Sequence, residues 1–178
     1  YILANVILSA IIFASCSGVD EENTVNGFEY VDLGLPSGTK WAASNIGAKV
    51  PESAGSYFAW GEISESNYTE AECETCNLSV SDLTEHEIIK SLRLTADYDA
   101  ATYNMGIGWQ TPTKQQYEEL KSNCTWMWQD KPSGYKIVAK NGKSIFLPTT
   151  GYMSDGRNLN YANQGFYWTS EVESGSSK

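Results

Sequence analysis

Residues 134–148 read GYKIVAKNGKSIFLP (Gly134–Pro148), and the fold turns on how that stretch is understood. Two runs of alternating apolar and polar residues flank Asn141-Gly142, the dipeptide that suits a type I′ turn, so the segment predicts an antiparallel hairpin. Toward the C-terminus, QGFYWTSEV (Gln164–Val172) predicts a further strand. Toward the N-terminus, TPTKQQYEELKSNC (Thr111–Cys124) predicts a helix: Thr113 and Gln116 have capping-box spacing, and Tyr117, Leu120 and Cys124 make one apolar stripe. SDLTEHEIIKSLRL (Ser81–Leu94) predicts a second helix, with Thr84 and Glu87 as the capping pair and Ile88, Ile89 and Leu92 on one face. Further back, FEYVDLGL (Phe28–Leu35), the turn residues PSGT and KWAASNIG (Lys40–Gly47) predict an N-terminal hairpin, and SYFAWGE (Ser56–Glu62) a third strand. The pattern is α+β, with short strands, two helices and long aromatic-bearing loops. No internal repeat is present.

Composition limits function. The 178 residues suit one domain, and 41% apolar with 12% aromatic content is enough for a packed core. The net charge of −10 repels phosphate backbones, which argues against nucleic-acid binding. Nine acidic residues and no Lys or Arg lie between Val50 and Ile89. Calcium is the one cation this stretch leaves open, because its ligands are carboxylate and carbonyl oxygens. No D-x-D-x-D-G loop occurs, however, and a solvated acidic face accounts for the same residues. No metal site and no cofactor are expected.

The chain starts YILANVILSAIIFAS, apolar or small apart from Asn5 and without charge. It is shorter than the roughly 20 residues of a membrane-spanning helix and has the length of a secretory core segment. Phe13-Ala14-Ser15-Cys16 resembles a bacterial lipobox, in which the cysteine becomes the lipidated N-terminus of the mature protein. That implies a signal peptide over 1–15, lipidation at Cys16, and a membrane partner reached through acyl chains. Asp20-Glu21-Glu22 resembles the export tag of surface lipoproteins in Bacteroidetes, which implies the outer membrane and its cell-surface face. Residues 16–27 then read as an acidic, flexible tether, and 28–178 as one globular domain.

Little in the chain carries catalysis. Cys73 and Cys76 form C-E-T-C; with neither a second pair nor a βαβ setting, a local disulfide is the reading preferred over zinc or redox chemistry. Cys124 is then left as a buried free thiol. His86, the single histidine, is flanked by Glu85 and Glu87 on a charged helix. No nucleophile elbow, phosphate loop or dinucleotide fingerprint occurs. A non-enzyme is expected. The loop GYMSDGRNLNYANQGFYW (Gly151–Trp168) offers Tyr152, Arg157, Asn158, Tyr161 and Asn163 as stacking faces and hydrogen-bonding groups for a ligand, whereas Trp126, Trp128, Tyr167 and Trp168 are expected mainly in the core.

VDLGLPSGTKWAASNIGA, YFAWGE, YDAATYNMGIGWQTPTKQQYEEL, NCTW, GYKIVAKNGKSIFLPTTGY and GFYWTS follow one another in an order that resembles the Fibrobacter succinogenes major paralogous domain, over about residues 28–172. The resemblance implies a surface lipoprotein of C-type lectin-like fold, similar also to formylglycine-generating enzymes. It implies ligand recognition or adhesion toward a glycan or a surface protein. A structural or assembly subunit of the envelope is the alternative, and a degenerate enzyme of the formylglycine-generating type stands behind both. No cysteine follows Cys124, so the paired active-site cysteines of those enzymes are missing. E-P-N, Q-P-D and W-N-D, which hold sugar through calcium in C-type lectins, are missing too. Members of the resembled family continue beyond YWTS, so the domain is expected to be truncated at its C-terminal end and of low stability over residues 17–178.

Overall fold

The computed structural model describes residues 10–11, 23–65, 73–154 and 156–173. They form a small mixed α+β domain of short, mostly antiparallel strands and few helices. Strands β1 (Ala10–Ile11), β2 (Thr24–Val25), β3 (Phe28–Val31) and β4 (Lys40–Ala42) make one sheet in the order β1-β4-β3-β2. Helix α1 (Val80–Glu85) precedes the ribbon β5 (Ile89–Lys90) and β6 (Arg93–Leu94). A 3-10 turn (Ala96–Tyr98), α2 (Ala100–Met105) and α3 (Lys114–Asn123) lead into the sheet β7 (Cys124–Asp130), β8 (Ser133–Ala139) and β9 (Ser144–Pro148). The ribbon β10 (Tyr152–Ser154) and β11 (Arg157–Leu159) comes last.

The expected hairpin is β8–β9, with Tyr135 opposite Leu147 and Ile137 opposite Ile145. Its turn differs from the expected one. Only Gly142 is left-handed there (φ 82°), and Gly142 N–H donates to the Ala139 carbonyl while Ala139 N–H donates to Lys143. This is a three-residue loop with glycine at the left-handed position. Asn141 stays right-handed and its Nδ2 donates to the Asp32 carbonyl at 3.0 Å, so a tertiary contact selects the turn. The type I′ turn lies instead at Asn26-Gly27, where both residues have positive φ (52° and 82°) and close β2 onto β3. Folded structure thus reaches back into 23–27, inside the segment read as tether. Cys16 and Asp20–Glu22 lie outside the described residues.

Helix α3 starts where its capping box predicts: Thr113 Oγ1 accepts from Gln116 N–H, and Gln116 Oε1 accepts from Thr113 N–H. The other helix does not. Ser79 and Asp82 form the capping box of α1, five residues before the expected pair, and His86 ends it. Glu87 (φ 57°) turns the chain out of helical conformation, and Ile89 continues as strand β5. Leu83, Ile88 and Ile89 pack together with Trp60, Leu94 and Val172 in a satellite core. Helix α2 was not expected: its six residues are too few to show an apolar period, but Asp99 caps it. SYFAWGE and QGFYWTSEV form no ladder strand; the second contributes only single bridges at Gly165 and Glu171. Both are held by side chains, Trp60 Nε1 donating to Thr169 O (2.8 Å) and Trp168 Nε1 to Phe58 O (3.0 Å).

The main core lies between α2, α3, the N-terminal sheet and the inner face of β7-β8-β9, around Trp41, Phe58, Trp109, Leu120 and Ile137. Among the described residues no helix is long and apolar enough to cross a membrane.

Candidate functional site

Strand alternation on β7 and β8 creates the main concavity. Cys124, Trp126 and Trp128 share one face of β7 and stand opposite Ala139, Ile137 and Tyr135 of β8. At the inner end this face is core: Ile137 and Ala139 are buried. Toward the other end the hairpin turns at Lys131-Pro132, a cis peptide. Trp126 is half-buried against the core, Trp128 is 45% exposed and Tyr135 41% exposed. Trp128 was expected in the core; it is instead exposed at the rim, where the Tyr135 ring and the Asp130 carboxylate hold it.

This face bounds an open cleft of about 590 Å³, which lies within the ordinary range for small-ligand sites. Trp126, Trp128, Tyr135 and Leu147 form one side, Asn163, Gln164, Gly165, Phe166 and Tyr167 the other, and Tyr117 of α3 closes the inner end. The rings are locked to one another edge to face. Tyr135 meets Trp128 at 5.2 Å and 72°, and Trp126 at 5.7 Å and 64°. Trp128 Nε1 donates to Asp130 Oδ1 at 2.7 Å, which fixes the exposed indole.

The opposite wall is tied down through the backbone. Gly151 and Gly165 form a parallel bridge, and Gly151 N–H donates to Gln164 O at 2.7 Å. A Cβ on Gly165 would sit 2.8 Å from Pro148 O and 2.9 Å from the Tyr167 ring, so only glycine permits the approach. Ser133 Oγ donates to Ala162 O, and Ala162 N–H to Thr149 O. Tyr167 Oη donates to Pro148 O at 2.7 Å, and burial pushes its pKa up.

Two polar atoms in the lining are buried and find no hydrogen-bond partner among the described residues: Trp126 Nε1 and Tyr117 Oη. Burial also raises the Tyr117 pKa well above its usual value, so its hydroxyl keeps the proton. No residue of the lining carries a charge at neutral pH.

Of the five loop residues singled out from sequence, only Asn163 lines this cleft. The register of β10–β11 pairs Tyr152 with Leu159, Met153 with Asn158, and Ser154 with Arg157, which separates the rest. Tyr152 packs behind the wall against Phe166 (5.1 Å, 78°). Arg157 is exposed on the ribbon. Asn158 falls on the Met153 side, where its Nδ2 donates to Tyr57 Oη (2.8 Å) and to Thr150 O (3.2 Å), a structural clamp. Tyr57 in turn donates to Thr150 O at 2.6 Å, and burial raises its pKa. Tyr161 is 61% exposed beside Asn163. Sequence reasoning missed the cleft because its two walls, β7–β9 and residues 163–167, are brought together only by the tertiary fold. The cross-strand placement of Trp126, Trp128 and Tyr135 could have been read once β7 was recognised as the strand preceding β8.

The other candidate chemistry lies elsewhere. Cys73 and Cys76 are joined by a disulfide, against which Ala59 packs, and Cys124 is a free, half-buried thiol. His86 is exposed at the end of α1 and does not line the cleft. Among the described residues no group of three or more metal-ligating side chains converges. No family model, curated protein or solved structure matches the chain.

Proposed function

We propose that this chain is a non-catalytic recognition domain of a cell-surface lipoprotein, which holds a glycan or protein ligand in the cleft between Trp128 and the 163–167 segment. The observation that carries the reading is the cleft itself: open, uncharged, lined by fixed aromatic rings and edged by amides. Monomeric proteins seldom leave such surface uncovered without a use for it. The opening run and the Phe13–Cys16 motif support display on the outer membrane through a lipid on Cys16. The mixed antiparallel architecture is compatible with the C-type lectin-like fold and with the Fibrobacter paralogous family that the sequence resembles.

A specific observation favours a second reading, an envelope assembly subunit that binds only protein. Ile107 (90% exposed) and Tyr103 (63% exposed) present apolar surface at the end of α2, apart from the cleft. One experiment separates the two. Full-length protein in mild detergent is passed over immobilised glycans and envelope proteins, with calcium and again with chelator. Saturable binding that disappears in Trp128→Ala supports cleft recognition. Binding to protein alone that survives Trp128→Ala and disappears in Ile107→Ala supports assembly. Separately, Cys16→Ser should release the protein from the membrane fraction; retention would overturn the anchor.

A further inference from the structure

Resting on the recognition reading, we infer that the cleft takes a neutral sugar ring, stacked on Trp128 and Tyr135, with its hydroxyls meeting the Asn163 and Gln164 amides.

Charge is the first argument. The chain carries a net charge of −10, yet none of the residues lining the cleft is ionised at neutral pH. A carboxylate or phosphate ligand would enter against the field of the whole protein and find no cationic partner inside. An uncharged ligand meets neither cost.

The rings set the shape. Trp128 and Tyr135 are both more than 40% exposed and are fixed at a steep mutual angle, and Asp130 orients the indole. Their faces carry the negative part of the aromatic quadrupole. The C–H bonds on one side of a pyranose are weakly positive and nearly coplanar, so they match such a face. The cleft volume of about 590 Å³ admits more than one ring, and its open side lets a chain continue outward.

Hydrogen bonding separates sugar from the alternatives. Asn163 and Gln164 are exposed in the lining, and each amide offers an acceptor oxygen and an N–H donor. The bound species should therefore carry donors and acceptors next to an apolar face. An alkyl chain makes no hydrogen bond to either amide. A quaternary ammonium would be drawn to the aromatic faces but neither donates to nor accepts from the amides. A sugar hydroxyl does both.

The test is titration calorimetry on the full chain in mild detergent. The ligands are neutral oligosaccharides of several linkages, their uronate counterparts, choline and short neutral peptides. At least one neutral series should bind saturably, and its uronate counterpart at least ten-fold more weakly. Trp128→Ala and Tyr135→Ala should each weaken binding ten-fold or more, while Ile107→Ala leaves it unchanged. Asn163→Ala is the gentler variant: it should weaken binding several-fold without lowering the melting temperature, because the amide is exposed and makes only a long contact (3.4 Å) to Tyr161 O. A purely structural role for Asn163 would do the reverse. Trp128-dependent binding of choline or peptide with no sugar binding overturns the sugar inference and keeps the recognition site. The absence of any Trp128-dependent ligand overturns both.

Discussion

Asp99 is 3% exposed and holds three segments together. Its Oδ1 accepts from Ala101 N–H (2.9 Å), Thr102 N–H (3.0 Å) and Thr111 Oγ1 (3.1 Å), and its Oδ2 from Thr111 N–H (2.9 Å). Burial pushes its pKa up and these donors pull it down, with burial the larger effect. The folded form therefore binds its proton more tightly than the unfolded chain does. Its contribution to stability is fully present below the unfolded carboxylate range and is lost as pH rises through the folded pKa. Asp99→Asn should erase that slope. It should also cost on the order of 1–3 kcal/mol, because the new amide must turn an N–H group toward one of the donors. Urea unfolding of both proteins from acidic to neutral pH measures the two effects. Neither the cap that Asp99 places on α2 nor its pairing with Thr111 was read from the sequence: α2 is too short to show a period, and the Thr111 contact closes a loop of the chain.

Short elements explain where local reading succeeded and where it failed. Helix α3 has ten residues and a capping box, so both its start and its buried Leu120 could be read from spacing. Helix α1 has six, and the apolar residues that seemed to extend it belong to the β5–β6 ribbon. That ribbon turns through Ser91 (φ 52°) and Leu92 (φ 62°), neither suited to left-handed backbone. Packing of Ile89 and Leu94 in the satellite core outweighs the local preference, and no sequence signal marks the turn. Replacing Ser91-Leu92 by Asn-Gly should accordingly stabilise the protein by about 1 kcal/mol, read as a higher urea midpoint. An unchanged or lower midpoint would mean that Leu92 contributes packing despite its exposure. On the β10 side, Gly151 (φ 64°) has no room for a side chain: a Cβ would lie 2.3 Å from Asn158 Oδ1 and from Leu159 O. Gly151→Ala should loosen the ribbon and the cleft wall together, seen as faster amide exchange at Gln164 and Tyr161.

For the molecule as a whole, composition anticipated a folded aromatic core and the helix-plus-hairpin register anticipated α+β. The cleft could not be anticipated, because it depends on residues 163–167 packing across from β7–β9. Charge acts at this scale too. The described ion pairs, Lys40–Asp32, Arg93–Glu171 and Lys114–Glu173, are long (3.3–3.9 Å) and lie at the surface. Such pairs contribute about 0–1 kcal/mol, so self-repulsion from the −10 net charge should dominate the salt response. Sodium chloride should raise the melting temperature, and Arg93→Ala should change it little. A melting temperature that falls with salt would show that pairing outweighs repulsion.

The uneven burial of the tryptophans also has an optical consequence. Trp41 and Trp109 are 0% and 1% exposed, whereas Trp128 stands at the cleft rim with 45% of its surface open. Its indole should emit at longer wavelength than the buried pair and be the first quenched by acrylamide. The protein thus carries an intrinsic fluorophore at the cleft rim. A molecule seated there should shift the emission to the blue and shield it from the quencher, while one bound at the end of α2 should leave the spectrum as it was.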